Sequence, residues 1–284
     1  MVSRHDVARG LRLTRVSSRA GGLEWSAPRA LAPVLGEFSN GIRPGPGRGL
    51  QLDVGPKAGR ILMSGSYDQI DPKPTGQRTV DLVWWSDEPE QAWHLSPSRL
   101  LDVDESSLTQ LANGSLLLSM RNAVRPECKC RAVSRSDDNG CARHCPVLLA
   151  ASRSVCEQVS ETMRARRETW GAVTHVPELI SPGCQGSMLR PPGQANLFFS
   201  GPSSTTDRHN MTIKRSADGG SSFEDALVVY PGPSAYSCLA SLRGADEIGI
   251  LFEHGPGGDK IGEGQPAGKS AYGTLSFSRV PMDF

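Results

Sequence analysis

The stretch Ser216-Ala-Asp218-Gly-Gly220-Ser-Ser-Phe223 limits what this chain can become more than any other. It has the make-up of a tight turn. An aspartate side chain can bond turn amides, glycine reaches positive φ without steric cost, and an aromatic three residues on can tuck beneath the turn. Met211-Thr-Ile-Lys-Arg215 before it alternates apolar and polar residues, and Ala226 to Tyr230 after it is a short apolar run. Both read as strands, so the stretch is a hairpin turn.

The pattern recurs in weaker form. Ser18-Arg-Ala20-Gly-Gly22-Leu-Glu-Trp25 lacks the acid, and Ser86-Asp-Glu88-Pro-Glu90-Gln-Ala-Trp93 has glutamate for aspartate and lacks the glycine. A fourth copy starts as Ser136-Asp-Asp138-Asn-Gly140 and breaks off; Glu168-Thr-Trp170 would complete it. On that reading residues 141–167 are an insertion inside a turn, either a structured insert with a short helix over 155–166 or translated intron sequence. With the insertion subtracted, the copies are spaced unevenly but near one blade each, at roughly 40–50 residues per four-stranded blade. Further strand-like runs are Gly59–Met63, Val80–Trp85, Ser115–Met120, Ala195–Phe199 and Gly249–Phe252. There is no sustained helical period. The expectation is an all-β chain whose blades are arranged radially.

Composition removes several function classes. A net charge of +1 over 284 residues gives no bulk attraction to nucleic acid or an anionic membrane. The longest apolar run, near Pro146 to Ala151, is too short to span a bilayer, and Met1–Arg9 has no apolar core of a signal peptide. Seven cysteines is an odd number for a disulfide framework. Cys128-Lys-Cys130 and Cys141…Cys145 with His144 do not have a standard zinc spacing, and no metal is expected. Asn113-Gly-Ser115 and Asn210-Met-Thr212 are glycosylation sequons, which lean toward a secretory route.

The chemistry concentrates around Tyr236. The run Ala226–Tyr230 meets Pro231-Gly-Pro233, which should end the strand and leave Tyr236 on a turn beside Ser234 and Ser237. Other motifs stand in order along the chain: Arg43-Pro-Gly-Pro-Gly-Arg-Gly-Leu-Gln51, Asp104-Glu105, Ser119-Met-Arg121-Asn122, Gly183-Cys-Gln-Gly-Ser187, Asp207-Arg208 and Leu251-Phe-Glu253-His-Gly255.

Taken together, these motifs and the turn repeat resemble the sialidase family with Asp-boxes. The likeness is greatest to the lysosomal-type animal enzymes and runs from about Leu13 to Ser278, the insertion excepted. It implies a six-bladed β-propeller, of which this chain would cover roughly the last four blades as one partial domain, 1–284. It also implies an exo-α-sialidase acting on sialylated glycoproteins, oligosaccharides or gangliosides, without a cofactor. Terminal sialic acid carries a carboxylate on its anomeric carbon. The pocket therefore needs arginines, whose rigid fork holds a planar anion. Arg121 and Arg208 match two of the family's three. A carboxylate nucleophile would be repelled by the substrate, which is why a tyrosine takes that role in sialidases. Tyr236 matches the nucleophile and Glu105 its general base. Glu253 resembles the acid that buttresses the first arginine, and Glu37 is a candidate pocket residue.

The likeness has gaps. The family's first arginine segment and its acid/base aspartate have no counterpart; Asp53, Asp68 and Asp71 stand in the wrong context. The expectation is that opening blades are missing and that this polypeptide alone turns over little sialoside. The competing reading is a non-catalytic Asp-box propeller that binds sialoglycans or protein. The resemblance implies a lysosomal or secretory, membrane-associated location, with a cytoplasmic one as the alternative, and leaves any protective protein partner open.

Overall fold

The computed structural model describes residues 14–18, 21–30, 41–70, 77–123, 128–139, 170–242, 246–255 and 270–283. They form β1 (Thr14–Arg15), β2 (Arg29–Ala30), β3 (Arg43–Pro44), β4 (Leu50–Gln51), β5 (Ile61–Ile70), β6 (Gln77–Glu88), β7 (Ala92–Leu95), β8 (Leu100–Leu101) and β9 (Val103–Gln110). These are followed by β10 (Leu116–Asn122), β11 (Cys130–Ser136), β12 (Thr174–Ile180), β13 (Ser187–Leu189), β14 (Leu197–Pro202) and β15 (His209–Ser216). The last are β16 (Glu224–Ser241), β17 (Glu247–His254) and β18 (Thr274–Pro281). Among the described residues the one helical turn is Ser270–Tyr272.

Among the described residues every strand pairing is antiparallel. The sheets run β3-β5-β6-β7, then β12-β11-β10-β9, then β13 through β18 in chain order, with β1-β2 a separate ribbon. They stack face to face, and successive side chains on a strand serve different interfaces. Leu116, Leu118 and Met120 of β10 join Leu62 and Val83 of the preceding sheet. Leu117, between them, joins Met188, Leu197 and Phe199 of the following one. Phe198 turns the other way, toward Ile213, Leu239 and Ile250. A strand buried on both faces reads as a continuous apolar run, as Leu116-Leu-Leu118 does.

The hairpin turn at Ser216 is built as its residues demand. Asp218 Oδ1 accepts from the amides of Ser221 (2.9 Å) and Ser222 (3.0 Å) and from the Ser216 hydroxyl (2.8 Å). Gly219 and Gly220 take φ of 69° and 84°, and Phe223 is buried below. The copy at Ser136 repeats the Ser136–Asp138 bond at 2.7 Å, and Trp170 is buried in the adjoining core. Gly171 N–H donates to the Arg135 carbonyl at 2.8 Å, so the chain re-enters beside the turn it left. Residues 141–167 lie outside the described residues. At Ser18 the turn survives, with Gly22 N–H on the Ser18 hydroxyl at 2.9 Å, yet Trp25 is exposed.

One expectation is corrected. Pro231-Gly-Pro233 does not end the strand: β16 runs through it for 18 residues. Its first part pairs with β15 and its last part with β17, and the prolines fall where the strand changes partners. A missing N–H does no harm at such a junction. Tyr236 therefore lies within a strand, not on a turn. Cys128 and Cys130, weighed as part of a metal site, are joined in a disulfide.

Candidate active site

Both acidic and phenolic candidates stand on β-bulges. In the β9–β10 ladder Ser107 faces Ser119 and Asp104 faces Arg121, so Glu105 and Ser106 together oppose Met120. In the β16–β17 ladder Ser237 faces Phe252 and Ser234 faces His254, so Ala235 and Tyr236 together oppose Glu253. An extra residue breaks the strict in-and-out alternation and re-aims a side chain. Glu105 also takes φ of 39°, an uncommon value for a residue with a Cβ.

The bulges bring the two side chains together from 131 positions apart. The Tyr236 hydroxyl donates to Glu105 Oε1 in a very short contact. The other oxygen, Oε2, accepts from Arg121 Nη1 at 2.8 Å. Asp104 lies 3.7 Å from Arg121 Nε. Burial works against the Arg121 charge, but Glu105 and Asp104 outweigh it and raise its pKa. Burial, then the hydrogen bond to Glu105, pushes the Tyr236 phenol well above its usual range. The pair is thus a phenol held against a carboxylate, not a standing phenolate.

Arg208 sits just before β15 with its guanidinium carbon 5.7 Å from the Tyr236 ring centre. It donates to the Gly183 carbonyl at 3.2 Å and to the Tyr272 hydroxyl. Glu253 Oε2 accepts the Tyr236 backbone N–H at 3.1 Å. Tyr236, Glu105, Arg121, Arg208 and Glu253 are therefore assembled in one place. Glu37 lies outside the described residues. Asp53 and Asp68 hold arginines instead: Asp53 takes Arg190 at 2.6 Å, and Asp68 takes Arg43 through two bonds of 2.7 Å.

Clefts flank the pair. One of about 220 Å³ is bounded by Arg43, Ser66, Asp68, Asp104 and Glu105. Another, of about 140 Å³, adjoins Tyr236, Glu253, Gln185, Cys238 and Leu251. The Pro44-Gly-Pro46 loop lies between, so close that a Cβ on Gly45 would stand 2.6 Å from the Ser106 carbonyl oxygen.

Reasoning from sequence missed the supports. Arg131 is fully buried beneath the site and donates to the carbonyls of Cys184 (2.7 Å), Ser119 (3.1 Å) and Glu105 (3.2 Å). Burial lowers its pKa to about 10, which leaves it a cation at neutral pH. Gln185 clamps the strand next to Tyr236, accepting from Ser237 N–H at 2.9 Å and donating to the Ser237 carbonyl at 2.9 Å. Gln185 lies inside a motif quoted above, but nothing local marks Arg131 among the other arginines.

The profile of the BNR repeat-like domain family matches residues 2–250. The chain belongs to that family. Among curated relatives, a sialidase of Micromonospora viridifaciens is 28% identical over 250 residues, covering 85% of this chain and 33% of the relative. A sialidase of Bacteroides fragilis (strain YCH46) is 25% identical over 252 residues, covering 87% of this chain and 40% of the relative. The chain thus spans two fifths or less of the length of either. Solved structures include the Hadza microbial sialidase Hz136, with a TM-score of 0.68 at 22% identity over 95% of this chain and 44% of that one. The NanB sialidase of Streptococcus pneumoniae follows with a TM-score of 0.63 at 18% identity over 95% of this chain and 36% of that one. At these identities the likeness establishes the fold, an all-β architecture of the propeller type.

Proposed function

We propose that this site is that of an exo-α-sialidase working through a tyrosine nucleophile on sialylated glycoproteins, oligosaccharides or gangliosides. The observation that carries the reading is the contact of the Tyr236 hydroxyl with Glu105, whose other oxygen is held by Arg121. A glycan-binding module has use for arginines but none for a phenol held against a carboxylate. In the proposed step Tyr236 Oη bonds to the anomeric carbon, its proton passes to Glu105, and the bond to the departing oxygen breaks, that oxygen taking its proton from water; water then attacks the anomeric carbon, the bond to Tyr236 Oη breaks, and Glu105 returns the proton to Tyr236. Arg121 and Arg208 hold the substrate carboxylate, and Glu253 fixes the Tyr236 backbone. The relatives named sialidases support the substrate class.

The test uses a difluorinated sialyl fluoride, whose leaving group departs without protonation. It therefore reads the nucleophile and base alone. Wild-type protein is expected to gain one sialyl adduct on the Tyr236 peptide by mass spectrometry. Tyr236→Phe should gain none, and Glu105→Gln should label about 10²–10⁴-fold more slowly. A wild-type chain that binds sialosides reversibly but is never labelled would be a binding module instead.

A further inference from the structure

Asp81 of β6 is completely buried, and nothing in the proposed reaction uses it. Along its strand, Leu82 and Trp84 face one apolar cluster and Val83 faces the other, the one shared with Leu108 of β9. Alternation puts Asp81 on the Val83 face, toward β9. There it meets Ser106, the second residue of the bulge that aims Glu105. Its carboxyl lies against the Ser106 hydroxyl and the Leu82 amide without a well-aligned hydrogen bond to either, and the Ser106 hydroxyl has no other partner. A buried carboxylate left so poorly bonded is costly, whereas a neutral carboxylic acid can donate its proton to the hydroxyl in front of it.

The surrounding charges favour the same state. From β9 Asp104 faces Asp81 and opposes its ionisation, and Glu105 adjoins Ser106 on that strand; from β11 buried Arg131 favours ionisation. Arg121 of β10 is engaged by Glu105 and Asp104. Toward the cleft, Asp68 of β5 is paired with Arg43 of β3. The neighbours Asp81 meets directly across the sheet, Ser66 of β5 and Leu100 of β8, carry no charge. Asp104 and Glu105 already balance Arg121 and Arg131. A third carboxylate behind the bulge would compete for Arg131, which holds the Glu105 carbonyl.

We propose that Asp81 is a neutral acid that braces the Glu105–Ser106 bulge, a positioning residue for Glu105 whose ionisation disturbs the Glu105–Tyr236 contact. The proposal rests on Glu105 being the working partner of Tyr236, and its test needs no turnover. The ring carbon bearing the Tyr236 hydroxyl is followed by NMR in tyrosine-labelled protein and assigned by its absence in Tyr236→Phe. In the wild type its signal should move with a midpoint near pH 8, where burial places the Asp81 carboxyl. In Asp81→Asn, which keeps the shape and cannot ionise, that step should vanish. The infrared C=O stretch of a buried protonated carboxyl should be present in the wild type at neutral pH and absent in Asp81→Asn. A wild type without the step or without the band, or a step unchanged in Asp81→Asn, overturns the proposal. Failure of the sialyl fluoride to label Tyr236 leaves both signals in place and counts against the sialidase reading alone.

Discussion

Asp218 and Asp81 show how one side chain takes opposite states from its surroundings. Asp218 is exposed on a turn and ringed by hydroxyl and amide donors, chiefly Ser222, so its pKa is held well below the usual carboxylate range. Asp81 has water on no side, and burial pushes its pKa from 3.8 up to about 8. The two act on stability with opposite sign. Asp218 is ionised in the native state, so its contribution is complete above 3.8 and is lost only in strong acid. Asp81 keeps a proton that the unfolded chain releases, so stability falls as pH rises from 3.8 to about 8 and levels off above that. Urea unfolding at pH values from about 5 to about 8 should show a falling midpoint in the wild type and a flatter one in Asp81→Asn. Equal slopes in the two proteins would mean that Asp81 is ionised throughout. The Asp218 turn is legible in the sequence because all its bonds are local. Asp81 is not, because the groups that make it unusual come from β9 and β11.

At the scale of the element, the working unit is the bulge. Strands such as β6, β10 and β17 are legible as alternating or continuous apolar runs. The bulges at Glu105 and Tyr236 are not, since each is defined by the register of a partner strand. The same holds for β16, whose Pro-Gly-Pro reads locally as a stop and is tolerated because the strand changes partners there. The string Gly183-Cys-Gln-Gly-Ser187 matters through its backbone as much as its side chains. A Cβ on Gly186 would stand 2.4 Å from the Phe199 ring, and the neighbouring Gln185 clamps Ser237. Gly186→Ala should therefore cost about 1–3 kcal/mol in urea unfolding, the usual range for overpacking a filled core. It should also slow sialyl labelling of Tyr236 by displacing its clamp. A stability within error of wild type would show that Phe199 swings aside freely.

At the scale of the molecule, two apolar clusters glue sheets face to face, and a third joins the two halves of the β13–β18 sheet. The last sheet in the chain carries apolar side chains on its other face as well. Leu251, Leu275 and Phe277 are 41%, 62% and 57% exposed, and Leu251 pairs with Phe277 across the ladder. Adjacent exposed apolar groups on a sheet invite association. The double change Leu275→Ser, Phe277→Ser should lower the sedimentation coefficient of concentrated protein, and a wild type already monomeric there would contradict this. A second expectation concerns residues 141–167. Buried Trp170 and the Gly171–Arg135 bond support their reading as an insertion into a finished turn. Joining Gly140 to Glu168 should leave the melting temperature unchanged within a few degrees; loss of folding would make these residues part of the core.

Local chemistry in the sequence determined the turns, most of the strands and the all-β class, because a Ser-Asp-Gly-Gly turn and an alternating run need only their neighbours. Ordered motifs pointed to Tyr236, Glu105, Arg121, Arg208 and Glu253, because each lies in a short string with a recognisable composition. The tertiary structure decided how they meet. Strand register set the two bulges, sheet stacking placed Arg131 and Asp81 behind them, and the partner exchange of β16 carried Tyr236 to Glu105. Those are properties of residues far apart in the chain, and no window of sequence contains them.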